Sequence, residues 1–146
     1  MAEGNHDLIG GGVWLSTLFN ALYENDPRIT VDTGEIPYYA YRFGKVMLAW
    51  HHSHRMPMDR MPLFFATQFS EMWGRTEYRH AHTGHKHHKH IKEFSGMEVE
   101  QHQTLSAKDQ HAVDGGYHAK RATNSICYHK DFGEVSRVNV TPEMVR

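Results

Sequence analysis

Three stretches of this chain carry side chains that could hold a divalent ion: Gly4-Asn5-His6-Asp7, Trp50-His51-His52-Ser53-His54 and Thr83-Gly84-His85-Lys86-His87. Imidazole is the commonest protein ligand for transition ions, and it titrates near neutrality. Asparagine adds a neutral oxygen donor. Histidines two apart, such as His85 and His87, share one face of a regular strand, or fan outward where a strand ends. Gly84 leaves room where backbone must approach an ion or a substrate. Of the 14 histidines, three fall in 51–54 and six in 80–90, so the enrichment is local. These clusters are internal and interrupted, unlike a terminal purification tag.

Within the second stretch His52 is the strongest ligand candidate. It follows the apolar run Val46-Met47-Leu48-Ala49-Trp50, at the point where a buried strand would leave the core. Functional side chains gather at such strand ends. His51 and His54 are expected to support the ligands or to face substrate. His6 is a titrating proton donor beside Asn5. Lys86, Lys89 and Lys92 interleave with His85, His87, His88 and His90, giving a local basic edge suited to phosphate.

The elements that must position these residues follow from periodicity. Val13, Trp14, Leu18, Leu22 and Tyr23 recur at helical spacing, which predicts a helix over Val13–Asn25 closed by Asp26-Pro27. Arg28–Thr33 alternates like a short strand. Tyr38–Phe43 and Lys45–Trp50 are apolar runs joined at Gly44, predicting a hairpin whose second strand is covered on both faces. Pro62 opens a helix over Leu63–Trp73. Strands are expected at Tyr78–Thr83, Ile91–Phe94 and Met97–Thr104, with a polar loop over Ser106–Tyr117. A final hairpin pairs Ala122–His129 with Gly133–Val140. The order predicts a single mixed α/β (α+β) domain over residues 1–146 with sheet at its centre.

Taken in order, the three stretches resemble the last three signature motifs of the calcineurin-like metallophosphoesterases, most closely the compact phage and bacterial members. The resemblance spans Gly4 to about Val140. It implies a β-sandwich flanked by helices and hydrolysis of phosphomonoesters or phosphodiesters. In that family two ions a few ångströms apart activate hydroxide for in-line attack on phosphorus. By resemblance Asn5, His52 and His85 ligate one metal, His87 ligates the other, and His6 acts as the catalytic acid with Asp7 beside it. His54 and Lys86 are then the substrate-facing residues.

The family's first two motifs, which supply an Asp-x-His pair and a bridging carboxylate, are not found before Gly4. The resemblance therefore implies a C-terminal portion lacking the N-terminal strands, with Val46–Trp50 as the exposed neighbour of the missing segment. A complementing N-terminal segment or a homo-oligomer would be the partner. Asp109-Gln110-His111 spells Asp-x-His but lies after the Gly-His-x-His in a polar loop, where a contact at the site's rim is expected. The family's metals include Mn²⁺, Zn²⁺, Ni²⁺, Fe²⁺ and Mg²⁺. An Asn-and-histidine donor set favours one ion of the Zn²⁺, Ni²⁺ or Co²⁺ type over hard ions that seek carboxylates. The alternative to hydrolysis is a non-catalytic mononuclear metal binder.

Composition sets the outer bounds. Hydrophobic content of 39% allows a packed core, and the net charge of −1 gives no global field for nucleic acid, although phage-type relatives make DNA a candidate substrate. Cys127 is the sole cysteine, so no internal disulfide forms, as suits the cytoplasm. The apolar stretch Leu8–Tyr23 contains Ser16, Thr17 and Asn20 and follows acidic residues; it reads as neither signal peptide nor membrane span.

Overall fold

The computed structural model describes residues 2–34, 36–106 and 120–145. Asp109-Gln110-His111 and nearly all of the loop expected over Ser106–Tyr117 lie outside them. The architecture is mixed α+β. Helix α1 (Gly11–Leu22) comes first. Then follow β1 (Tyr38–Phe43), β2 (Val46–His51), α2 (Met61–Gln68), α3 (Ser70–Gly74), β3 (Tyr78–Thr83), β4 (His90–Phe94), β5 (Met97–Gln101), β6 (Thr123–His129) and β7 (Gly133–Val140). No helix among the described residues is long and apolar enough to cross a membrane.

Five strands form one sheet in the order β1-β2-β3-β5-β4. β2, β3 and β5 run parallel, and the two edge strands run antiparallel to their neighbours. Alternation along the strands splits the sheet into two faces. On one, Met47, Ala49, Ala81, Met97 and Val99 pack with Met61 and Phe65 of α2 to make the core. The other face carries Leu48, Trp50, His80, His82, Glu98 and Glu100, in register across β2, β3 and β5. The β6–β7 hairpin lies over it, with Tyr128 bonded to His82 and Arg137 to Glu100.

The hairpin is latched to the sheet at its turn. Lys45 N–H donates to the Lys130 carbonyl at 2.7 Å. Gly44, at φ 59°, lies so close that a Cβ there would sit 2.5 Å from the same oxygen. Glycine is required here on both counts.

The β1–β2 hairpin turns at Gly44, and the strands at Tyr78, Ile91, Met97 and Gly133 lie where the alternation places them, to within a few residues. Four expectations are corrected. The first helix spans Gly11–Leu22, so it starts two residues before Val13 and ends three before Asn25. Arg28–Thr33 is not a strand. Side-chain bonds from Asp26 to Arg28 and from Asp32 to Gly34 satisfy its backbone locally, in competition with a ladder. The second helix breaks at Phe69, whose backbone (φ −123°, ψ 45°) leaves the helical region while its ring packs on Tyr38 and Phe65. Finally, Val46–Trp50 is no exposed edge: β2 is paired with β1 on one side and β3 on the other, and Val46, Met47 and Ala49 are fully buried. The exposed apolar surface lies instead around α1, where Ile9 is 98% and Trp14 77% accessible.

Candidate metal centre

His51, Thr83 and Gln101 occupy one row across the C-terminal ends of the three parallel strands. Each strand delivers its next residues to the same edge. Parallel sheets place ligands there, beyond the carboxyl ends of the strands. His52 and His54 follow β2, and Gly84 and His85 follow β3. The loop after β3 is held in place by Gln101, whose buried side chain donates to the His88 carbonyl, and by His102 N–H donating to the Thr83 carbonyl.

The first motif comes to this edge from 47 residues away. Asn5 Oδ1 lies 3.2 Å from His52 Nε2. The ring centroids of His52, His54 and His85 are separated by 5.4, 5.3 and 6.2 Å. Imidazoles gathered tetrahedrally on one ion, with nitrogens about 2 Å from it, have centroids about 5 Å apart. The three rings are near that separation, but their donor nitrogens are not gathered within 4.8 Å as those of the two groups described below are. His54 Nδ1 is buried with no hydrogen-bond partner among the described residues. An orphaned lone pair facing no donor is costly unless something fills its place.

The backbone here is unusual. The three non-glycine residues with positive φ among the described residues are Ser53 (80°), His85 (76°) and His87 (56°). Each costs about 1–3 kcal/mol, and such strain persists where surrounding contacts over-determine it. Ser53 is fixed by its N–H donating to His51 Nδ1 at 2.7 Å and by its hydroxyl donating to the Met56 carbonyl. His51 is thereby buried and committed to the loop's geometry. His54 takes the place in the ring cluster that its sequence position alone did not assign.

The other candidates lie around this core. Asp7 closes its own turn, accepting from Gly4 N–H at 2.6 Å, and its charge raises the proton affinity of His52. His6, Lys86 and His87 are exposed, and all three sit close enough to His85 for their charges to depress its pKa. His52 and His85 are both held below the ordinary imidazole range, first by burial and then by neighbouring histidines. Neutral imidazoles offer their lone pairs to an ion without first losing a proton.

The crowded glycine is Gly4, not Gly84. A Cβ on Gly4 would sit 2.9 Å from His52 Nε2, whereas one on Gly84 would meet His52 Nδ1 at an ordinary 3.5 Å.

Two other groups do bring three donor atoms within 4.8 Å of one another and could hold a metal ion: His82, Glu100 and His102, and His80, Glu98 and Glu134. Sequence reasoning missed both. The available signal was alternation: His80-Ala81-His82 and Glu98-Val99-Glu100 each put two polar residues on one face of a strand with apolar residues on the other.

The His82 group is closed. Tyr128 Oη lies 2.9 Å from His82 Nε2, His82 Nδ1 lies 2.8 Å from His102 Nε2, and Arg137 occupies both oxygens of Glu100. Burial pushes His82 down to about 4 and drives the Tyr128 phenol well above its usual value.

Compared with family models, with curated proteins and with solved structures, the chain matches none of them.

Proposed function

We propose that this chain hydrolyses phosphoesters with a divalent ion held by Asn5, His52, His54 and His85, in the manner of the calcineurin-like metallophosphoesterases, and that its layered sheets are a form of that family's sandwich. The observation that carries this reading is convergence. Three segments in that family's motif order, distant in sequence, meet at one sheet edge with Asn5 Oδ1 3.2 Å from His52 Nε2. The donor set fits one borderline ion such as Zn²⁺, Ni²⁺ or Co²⁺.

When bound, such an ion polarises a phosphoryl oxygen and lowers the pKa of water. The chain's own residues do the rest. His52 and His85 stay neutral at physiological pH and keep their lone pairs for the ion. Asp7 fixes the turn that carries Asn5 and His6. His6, exposed beside His85, donates a proton to the leaving oxygen. Lys86 and His87 meet the substrate's phosphate from the exposed loop, and the basic edge at Lys89 and Lys92 extends that contact along a nucleic-acid backbone such as DNA.

A second reading, metal binding without turnover, is favoured by one observation. Asp7 is the carboxylate at this cluster among the described residues, and it is spent on closing its own turn. No bridging anion for a second ion sits beside the histidines there.

The experiment is hydrolysis of bis(p-nitrophenyl) phosphate with Mn²⁺ or Zn²⁺, with elemental analysis of the dialysed protein. Turnover abolished in His6→Ala and His85→Ala, with the ion retained in the former, supports hydrolysis. An ion without turnover selects the second reading. Ion content unchanged by His85→Ala sinks both.

A further inference from the structure

We infer that His80 of β3, Glu98 of β5 and Glu134 of β7 form a separate structural site for a divalent ion, which ties the β6–β7 hairpin to the main sheet. The proposal is independent of the phosphoester reading, since none of its donors belongs to the histidine cluster at the strand ends.

Four observations converge. The three side chains each offer a donor atom, and these atoms lie within 4.8 Å of one another. His80 makes one long contact, Nδ1 to Glu98 Oε1 at 3.4 Å, and its Nε2 is buried without a hydrogen-bond partner among the described residues. A buried nitrogen with nothing to bond is rare and asks for a missing partner. Third, the layer between the sheets holds three carboxylates, Glu98, Glu100 and Glu134, against one guanidinium, Arg137, among the described residues. One guanidinium against three carboxylates leaves that layer short of positive charge, and a divalent ion supplies it. Fourth, entry is open: the Glu98 and Glu134 side chains are 32% and 24% accessible, while Glu100 in the neighbouring group is 1% accessible.

Arg137 also bonds both oxygens of Glu134, at 2.8 Å each, so the ion must use that carboxylate's remaining lone pairs. This is compatible chemistry, because each carboxylate oxygen accepts more than one partner. Among the described residues Glu98 meets no such competitor beyond His80. One imidazole and two carboxylates suit Zn²⁺ or Mn²⁺, with water completing the coordination.

A donor from each of three strands has a mechanical meaning. β3 and β5 belong to the five-stranded sheet and β7 to the two-stranded one. An ion shared between them cross-links the two layers near the hairpin's turn, where Glu134 pairs with Tyr128, and reinforces the latch at Lys45 and Lys130. Binding to the native state alone raises stability by mass action.

The test uses Zn²⁺ with the full chain in the His85→Ala background, which removes a ligand of the other site. Equilibrium dialysis and elemental analysis should find a bound ion in His85→Ala that Glu98→Gln, added to it, weakens at least tenfold. Zn²⁺ should raise the melting temperature of His85→Ala and leave the double variant unmoved. Co²⁺ in place of Zn²⁺ should broaden the NMR signals of Tyr128, whose ring centroid is 4.9 Å from that of His80. Glu98 is partly exposed and its isosteric amide preserves packing, so folding is not at stake; His80→Gln repeats the test from the second donor. Equal Zn²⁺ binding with and without Glu98→Gln, or Co²⁺ that leaves Tyr128 sharp, overturns the proposal.

Discussion

Arg137 grips Glu100 through two nitrogens, at 2.5 and 2.7 Å, joining the hairpin to a carboxylate that is 1% exposed. Burial alone would push Glu100 up. The Arg137 hydrogen bonds and the charges of His102, Arg137 and His82 outweigh it and hold the carboxyl below its ordinary value. Removing the guanidinium strands a buried anion. Arg137→Met should cost about 3–5 kcal/mol by urea denaturation, and adding Glu100→Gln should restore part of it. Additive losses would show that the pair is not coupled.

Gly4→Ala should displace the His52 ring, since its new Cβ would lie 2.9 Å from both Cε1 and Nε2. Residues that orient ligands affect metal affinity by about 10–100-fold when lost. The variant should therefore bind Zn²⁺ at least tenfold more weakly with an unchanged circular dichroism spectrum. Gly84→Ala meets only ordinary contacts and should bind normally. Calorimetric titration of both variants decides the matter, and equal affinities would remove Gly4 from the site.

Stability should fall with acid in metal-free protein. His82 is held down to about 4 by burial and then by His102, against an unfolded value near 6.5. The folded pKa is the lower, so the stabilisation is complete above the unfolded value. It is lost as pH falls from there towards the folded value. Between about pH 7.5 and about pH 5 this group accounts for about 2 kcal/mol. His51, His52, His85 and His102 shift in the same direction and steepen the slope. Thermal melts across that range should show His82→Gln with a visibly shallower dependence than wild type. Parallel curves would assign the acid sensitivity elsewhere.

Gly44→Ala should weaken the joint between the two layers. The new methyl group would be forced to 2.5 Å from the Lys130 carbonyl in a backbone conformation that disfavours any side chain. The expected loss exceeds about 2 kcal/mol, more than the roughly 1 kcal/mol of the conformational effect alone. Gly74→Ala, which meets nothing within 4 Å, is the control.

Local signals in the sequence reached a definite depth. Runs of β-formers around Gly44 and before Gly84 state strand identity, because each is bounded by a turn residue; β2 and β3 lie in the centre of the sheet and β1 at its edge. Arg28–Thr33 shows the limit: alternation without a partner strand gave way to Asp side chains bonding the nearby backbone. The candidate ligands Asn5, His52 and His85 are visible as residue types at spaced motifs. The role of His54 is not, since it depends on Ser53 at φ 80° turning the chain back towards the cluster. The Glu98–His80 pairing is equally hidden. β3 pairs with β5 over the intervening β4, so no local spacing announces which carboxylate faces which imidazole.

The latch at Lys45 and Lys130 sits at the end of the parallel strands remote from His52 and His85. It makes the hairpin a flap hinged at its tip. If the two layers part, they open first where β6 begins and β7 ends. The amides of Thr123 and Val140 should therefore exchange with deuterium sooner than that of Lys45, giving a gradient of protection that runs down the hairpin towards its turn.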